Sequence, residues 1–269
     1  MKKLAPHMMT DDGWTLKTDH FDAIAAIHEG SNFMIGNGYL GYRGTFAEAR
    51  KADYAACVVT DTWDMADGKW VELSTVPNAL FTVLFEDGEP LNPQEEAASF
   101  ARYLNLKRAC SGRHVTFKTP QGHRIIIKEE KFASAENRHL VMMRYTFEAE
   151  ATVSLKLFSG IDLDVWSLNG KHLSEPTVFK HGEDYGIIAE TGQSKIPVVV
   201  MEKVLTMPKG EVRPYEDGQD IGRFITVNMQ ADQTVVLEKA MIVVTGHDSP
   251  KPQEKAIEIA DALTNYASH

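Results

Sequence analysis

Aspartate and tryptophan side chains lie close together in one short stretch of the sequence. Asp61, Trp63, Asp64 and Trp70 fall within ten residues. Because aromatic ring faces pack on the apolar faces of sugars, these residues could form a sugar-stacking loop. A hydrophobic plug that closes one end of a β-sandwich is equally supported, since tryptophan is usually well buried. Both interpretations stay open, and Trp63 and Trp70 are weak candidates for substrate binding.

A second candidate for chemistry is the pair Asp162 and Asp164, which stand two residues apart in the segment Ser-Gly-Ile-Asp-Leu-Asp. Two neighbouring carboxylates could act as an acid and a base. We favour a polar turn at the end of a strand, because aspartate side chains commonly bond the backbone of their own turn.

Other catalytic and metal-binding signatures are absent from the sequence. The ten histidines form no H-E-x-x-H motif and no pair at i, i+4 spacing. There is no serine nucleophile elbow and no phosphate-cradling loop. The two cysteines, Cys57 and Cys110, form no C-x-x-C motif and are predicted to be buried free thiols. The sequence therefore predicts no catalytic residue, no metal site and no cofactor.

A glycine-rich stretch from Ser31 to Phe46 is the most distinctive part of the chain. Its glycines and polar residues are Gly36, Asn37, Gly38, Gly41, Arg43 and Gly44. The letters from Gly36 to Gly41 match G-x-G-x-x-G, but a nucleotide site also requires a helix to open there. Each glycine would cost such a helix about 1 kcal/mol relative to alanine. A strand and turn are favoured, in which the Arg43 guanidinium bonds backbone carbonyls and is structural.

Short alternating strands with regular turn signals dominate the rest of the sequence. Asp87-Gly88 predicts a type I′ hairpin between 80–86 and 89–91, and Thr119 to Gly122 predicts a type I turn. We expect an all-β antiparallel sandwich or barrel. A polar loop is predicted at 61–68, and the proline and acidic residues that open 93–102 predict a short helix there.

The overall charge excludes several classes of partner. The chain has 269 residues and a formal net charge of −10. Nucleic acids and anionic membranes both require a basic surface, so neither is expected as a partner. No apolar run reaches signal-peptide length at the N-terminus or the roughly 20 residues of a membrane span. A cytoplasmic location is therefore expected.

The character of the chain changes at Gly246. The segment 247–252 has the composition of a linker, and the apolar residues that follow recur at helical spacing. These residues are Ala256, Ile259, Ala260, Leu263 and Tyr266. We predict a β-domain over 1–246 and a linker with a helix over 247–269. The apolar face of that helix either docks on the β-domain or is covered by a further domain.

Four segments, taken in order, resemble glycoside hydrolase family 65. They are 33–44, which matches the hallmark G-N-G-Y-x-G-x-R-G; the hairpin 80–91; 102–106, which resembles R-x-L-D; and 158–165, which resembles S-G-I-D-G-x-V. The chain departs from the family pattern at Asn105 in place of aspartate, Ala109 in place of glycine and Leu163 in place of glycine.

The resemblance implies the N-terminal domain of a disaccharide phosphorylase, a family that acts on maltose, kojibiose, trehalose and related α-glucosides. The implied fold is a large super-sandwich, as in galactose mutarotases, with a linker helix leading to an (α/α)₆ catalytic barrel. That barrel of the same polypeptide would carry the general acid and the site for inorganic phosphate, the co-substrate. The whole enzyme would be a homodimer that needs no cofactor. This chain alone is expected to be inactive.

Two alternatives on the same fold remain. A stand-alone mutarotase-like enzyme would need a facing histidine and glutamate in an open cleft. A carbohydrate-binding module would need Trp63 and Trp70 to be exposed and coplanar.

Overall fold

The computed structural model describes residues 10, 12–22, 27–65, 70–91 and 97–266. The strands, numbered in chain order, are β1 (Thr15–Thr18), β2 (Ile35–Gly36), β3 (Leu40–Tyr42), β4 (Cys57–Asp64), β5 (Glu72–Val76), β6 (Thr82–Glu86), β7 (Glu89–Pro90), β8 (Ala97–Asn105), β9 (Cys110–Lys118), β10 (Arg124–Ala133), β11 (Leu140–Ala149), β12 (Val153–Asp162), β13 (Thr177–His181), β14 (Asp184–Glu190), β15 (Pro197–Thr206), β16 (Glu211–Glu216), β17 (Asp220–Met229) and β18 (Thr234–Thr245). Helix α1 spans Pro252–Ala262, and a short 3₁₀ turn spans Lys51–Asp53.

The described residues form three antiparallel sheets, which confirms the predicted all-β class. A nine-stranded sheet has the order β1-β8-β9-β10-β11-β18-β15-β14-β13, and a five-stranded sheet has the order β16-β17-β12-β6-β7. A four-stranded sheet has the order β2-β3-β4-β5. Side chains from all three sheets form one apolar core. Side chains alternate along the strands, so that Ile125 and Ile127 of β10 enter this core while Arg124 and Lys128 are exposed.

Both predicted turns are confirmed. Asp87 and Gly88 have φ values of 50° and 89°, and two positive values in succession are the signature of the type I′ turn between β6 and β7. The Gly122 amide donates to the Thr119 carbonyl at 2.8 Å, which closes the turn between β9 and β10. Cys57 and Cys110 are buried free thiols, as expected.

Two local predictions are wrong. Residues 97–102 do not form the predicted helix but belong to strand β8. Strand β8 pairs with both β1 and β9, and this sheet pairing overrides the local helix signals. Residues 93–96 of the prediction lie outside the described part of the chain. The predicted loop at Asp61 is a continuation of β4 as far as Asp64, with a shift of register and a positive φ of 63° at Asp61. Residues 66–68 of that prediction also lie outside the described residues.

Helix α1 confirms the predicted C-terminal helix and packs on the outer face of the nine-stranded sheet. Its buried residues Ala256, Ile259 and Ala260 join a cluster that includes Met142 and Ile242. This outcome corresponds to docking on the β-domain, while the boundary at Gly246 stays a prediction. Within the described residues, no helix is both long and apolar enough to cross a membrane.

Candidate functional site

The hairpin formed by β4 and β5 has two carboxylates at the base of its connecting loop, where β4 ends and β5 begins. Asp64 and Glu72 are directly opposite each other, an arrangement of like charges that destabilises a strand pair. His172, from the connection between β12 and β13, lies between them. Its Nδ1 is 3.3 Å from the Asp64 carboxylate, and its Nε2 is 2.5 Å from that of Glu72. Each ring nitrogen thus faces one carboxylate, and the imidazole stands between the two acids.

The same cluster ties the hairpin to a third segment. The other carboxylate oxygen of Asp64 accepts hydrogen bonds from the backbone amides of Gln193 and Ser194 at 2.8 and 2.9 Å. Burial raises the pKa of Asp64, but these hydrogen bonds outweigh burial and lower that pKa below its usual value. Asp64, Glu72 and His172 therefore join the hairpin, the β12–β13 connection and the β14–β15 turn; we call them the hairpin-base cluster.

The two tryptophans lie on this hairpin and reach solvent. Trp63 and Trp70 are 52% and 54% exposed, so neither forms the buried plug considered above. Because successive strand residues point to opposite faces, Trp63 lies on the face opposite Asp64, beside its cross-strand neighbour Leu73. The hairpin-base cluster thus fixes one face of the hairpin, and the other presents an aromatic surface. Sugar binding by these tryptophans stays a prediction.

Asp162 and Asp164 lie in different environments, one buried and one half exposed. The Asp162 side chain is fully buried at the end of β12, and its Oδ1 accepts a hydrogen bond from the Asp164 amide at 3.0 Å. This is the local turn bonding that the sequence favoured. Asp164 is about half exposed and pairs with Lys51 at 2.7 Å. Burial raises the pKa of Asp162 to about 7, and Arg50 at 3.6 Å offsets only part of that rise.

The glycine-rich motif forms the β2–β3 hairpin and does not open a helix, which confirms the predicted strand and turn. Gly38 has a φ of 86°, which favours glycine at the turn. A Cβ at Gly44 would collide with the Phe33 carbonyl. Arg43 donates to the Ile27 carbonyl and, at 3.4 Å, to the Tyr54 carbonyl, the type of contact predicted for it.

The remaining motif glycines also lie in crowded positions. A Cβ at Gly36 would lie 2.9 Å from the Leu40 carbonyl oxygen, and one at Gly41 would collide with the Met34 side chain. The close approach of backbone in this hairpin explains why its sequence is rich in glycine.

A buried ion network holds the segment that follows the motif. Arg113 donates to Glu129 at 3.0 Å and to Glu48 at 2.6 Å, and Lys131 pairs with Glu129 at 2.6 Å. The Glu129 carboxylate also accepts from the Ala47 amide at 3.0 Å. The connection between β3 and β4 is therefore fastened to β9 and β10 by buried charges.

A second network joins the two large sheets. Lys239 of β18 and Glu202 of β15 are fully buried 3.1 Å apart, and Arg223 of β17 lies 3.1 Å from the same carboxylate. Lys239 also donates to the Phe81 carbonyl at 2.8 Å and to the Ser159 hydroxyl at 3.1 Å. Burial lowers the pKa of Lys239 to about 8, although Glu202 opposes the change. We call these residues the inter-sheet network.

Sequence reasoning missed both networks, although a signal for them existed. Lys239 lies two residues from the core residues Leu237 and Met241 on one strand, so its side chain points to the same face as theirs. Glu129 lies two residues from the core residue Ile127 and shares its face in the same way. A charged residue at an inward position of an alternating strand predicts a buried ion.

In the described ranges no metal site is visible, and histidine faces glutamate in the pairs His123–Glu86 and His172–Glu72. No group of three or more candidate ligands there could hold a metal ion. The His172–Glu72 pair has no exposed imidazole, because the His172 side chain is 0% exposed. A cavity of about 110 Å³ adjoins this pair, with Lys51, Thr75 and Ser167 in its lining.

A family model and several phosphorylases match this chain. Residues 16–268 match the model of the glycosyl hydrolase family 65 N-terminal domain. The chain is 45% identical to a 1,2-α-glucosylglycerol phosphorylase of Bacillus selenitireducens, over 99% of this chain and 35% of that protein. It is 26% identical to a nigerose phosphorylase of Lachnoclostridium phytofermentans, over 92% of this chain and 36% of that protein.

A solved structure shares the fold. It is a candidate kojibiose phosphorylase from the human microbiome, with a TM-score of 0.78, 15% identity, and coverage of 93% of this chain and 34% of that one. The chain thus spans about a third of the length of the relatives it matches. The family match covers nearly the whole chain, and this chain belongs to glycosyl hydrolase family 65 as an N-terminal domain.

Proposed function

We propose that this chain is the non-catalytic N-terminal domain of a phosphorylase that acts on α-glucosides. One observation carries the proposal: the chain aligns over 99% of its length with a 1,2-α-glucosylglycerol phosphorylase, at 45% identity, yet spans only 35% of that protein. Two further relatives are a nigerose phosphorylase and a kojibiose phosphorylase.

The arrangement of charged side chains supports a bracing role for the domain. Glu129, Glu202 and Asp64 are each buried and each bind two or more partners from other segments. Buried carboxylates that are already hydrogen-bonded and paired hold segments together, whereas a general acid must reach its substrate.

In the parent enzyme, inorganic phosphate would attack the anomeric carbon while a carboxylic acid protonates the leaving oxygen. Attack from the opposite face inverts the configuration, so an α-glucoside would give β-glucose 1-phosphate. The acid and the phosphate site would lie in a catalytic barrel that follows this domain in the same polypeptide. We further propose that the parent is a cytoplasmic homodimer that needs no cofactor.

The proposal is tested with this chain and with a chimera in which it replaces the matching segment of the Bacillus selenitireducens enzyme. The chain alone is expected to release no glucose 1-phosphate from 1,2-α-glucosylglycerol, maltose, kojibiose or trehalose. The chimera is expected to release it, with the β configuration by NMR. Phosphorolysis that co-purifies with the chain alone would refute the non-catalytic role, and an α product would refute inversion.

A second candidate function is carbohydrate binding by Trp63 and Trp70, which their exposure favours. Quenching of tryptophan fluorescence by maltose or kojibiose tests it. Trp63→Ala is expected to abolish the response, and Trp14→Ala is a matched control because Trp14 is also 52% exposed. A response that survives Trp63→Ala and Trp70→Ala would contradict this function.

A further inference from the structure

The turn of the glycine-rich motif reaches the point where the chain leaves its last strand. The Tyr39 hydroxyl donates to the Asp248 carboxylate at 2.5 Å. The same carboxylate oxygen accepts from the amide and the hydroxyl of Thr245, the last residue of β18, each at 2.8 Å. Only 6% of the Asp248 side chain is exposed. One buried carboxylate thus connects the motif to the start of the β18–α1 connection.

A third segment, the turn between β10 and β11, completes the contact. Arg138 of that turn donates to the other Asp248 oxygen at 2.9 Å, and its guanidinium lies 4.8 Å from the centre of the Tyr39 ring. The Asn37 amide donates to the carbonyls of Ser134 and Arg138 at 2.7 and 3.0 Å. Two turns of the sandwich therefore converge on the connection to α1.

Each motif residue here has a separate task. The Asn37 side-chain oxygen accepts from the amides of Tyr39 and Leu40, both at 3.2 Å, while its amide group bonds the β10–β11 turn. Gly38 supplies the positive φ between them. Tyr42 belongs to the same motif but faces elsewhere, and its hydroxyl donates to Asn78 at 2.9 Å. The contact with Asp248 is thus a property of the turn and not of the whole hairpin.

Helix α1 depends on contacts with the rest of the domain to hold its position. Its N-cap residue, Lys251, makes no side-chain capping bond, and the helix has only 11 residues. Helices of this length are marginal in water, so packing and end contacts decide where such a helix lies. Its buried face fixes it to the nine-stranded sheet, and Asp248, four residues before Pro252, ties the chain to the motif turn just before the helix starts.

We propose that Asn37, Tyr39 and Asp248 are positioning residues that fix the direction in which the chain leaves the sandwich. We call these three residues the exit latch. This inference rests on the proposed function: the exit latch sets how the catalytic domain sits relative to the sandwich. The G-N-G-Y part of the motif then acts on domain placement.

Hydrogen–deuterium exchange of this chain tests the latch, with Tyr39→Phe compared against Tyr42→Phe. Each variant removes one hydroxyl from the same hairpin. Tyr39→Phe is expected to speed exchange of amides in 246–262 by about tenfold, which is about 1.4 kcal/mol, because the lost hydrogen bond is made to a charged group. Amides of β11 and the melting temperature should stay near the wild-type values. Tyr42→Phe should leave exchange in 246–262 unchanged.

Asp248 supplies a second comparison. Asp248→Ala is expected to speed exchange in 246–262 at least as much as Tyr39→Phe, and Asp248→Asn, which keeps an acceptor for Tyr39 and Thr245, should restore part of the protection. Unchanged exchange in 246–262 for Tyr39→Phe, or an equal increase for both tyrosine variants, would overturn the latch. These measurements use this chain alone, so they stand apart from the chimera assay: an inactive chimera with the expected exchange pattern refutes the proposed function and keeps the latch.

Discussion

Two buried carboxylates, Glu202 in the inter-sheet network and Asp162 at the end of β12, differ in what burial does to them. Both side chains are fully buried. Burial alone would raise the pKa of Glu202, yet Lys239 and Arg223 outweigh it and hold that pKa below its usual value. Asp162 has Arg50 at 3.6 Å, its Oδ2 has no hydrogen-bond partner among the described residues, and its pKa rises to about 7. The charges and hydrogen bonds around each carboxylate, and not burial alone, decide the direction of its pKa shift.

The largest expected effect follows from removing the shared anion of the inter-sheet network. Glu202→Gln would leave Lys239 and Arg223 as buried cations without a counter-charge, which costs about 3–5 kcal/mol of unfolding free energy. Urea unfolding measures the loss. Glu211→Gln is the matched control, because Glu211 pairs with Arg213 at an exposed site and should change stability by less than about 0.5 kcal/mol. A loss below about 1 kcal/mol for Glu202→Gln would contradict the comparison.

Replacing Asp162 is expected to have the opposite effect on stability, because its pKa is raised in the fold. The pKa rises from 3.8 in the unfolded chain to about 7 in the fold, so the protonated form is the one that folding favours. The contribution to stability is complete below pH 3.8 and is lost as the pH rises through about 7. At pH 8 the charged carboxylate would therefore destabilise the wild type by about 2–4 kcal/mol relative to low pH.

Asp162→Asn removes this titration. Relative to the wild type, the variant is expected to gain stability between pH 4 and pH 8, by about the same 2–4 kcal/mol, in denaturant unfolding at several pH values. Asp164→Asn is the control, since Asp164 is about half exposed and paired with Lys51. Parallel pH profiles for the wild type and Asp162→Asn would show that Asp162 stays charged in the fold.

A third variant extends the comparison to carboxylates that share one histidine. His172→Gln would remove the imidazole that bonds both Asp64 and Glu72, at an expected cost of about 2 kcal/mol. The loss should be local, with faster hydrogen exchange in 57–64 and 72–76. His181→Gln is the control, because His181 pairs with Asp261 at the surface. Equal effects of the two variants would show that the hairpin-base cluster does not hold the hairpin.

The strand pattern could be predicted from sequence, because alternation and turn residues are local properties. Asp87-Gly88 specified its turn without reference to the rest of the chain. Strand β8 could not be recognised in the same way, since its partners β1 and β9 are supplied by the tertiary fold. The hairpin-base cluster could not be predicted either, because His172 is 108 residues from Asp64 and only folding brings them together.

The smallest expected effect belongs to Arg43, whose guanidinium donates to carbonyls and lies 5.5 Å from the centre of the Tyr54 ring. Burial lowers the pKa of Arg43, and its Nε has no hydrogen-bond partner among the described residues. Arg223, by contrast, lies beside the Glu202 carboxylate. Arg43→Ala would leave the Ile27 carbonyl without its donor, and the 3.4 Å contact with the Tyr54 carbonyl adds little, so the expected loss is about 1–2 kcal/mol. Thermal melting measures it. Arg43→Lys should recover only part of the loss, because an ammonium does not reproduce the planar guanidinium fork. An Arg43→Ala protein that melts at the wild-type temperature would show that these carbonyls find water instead, and that the motif is held by its glycines alone.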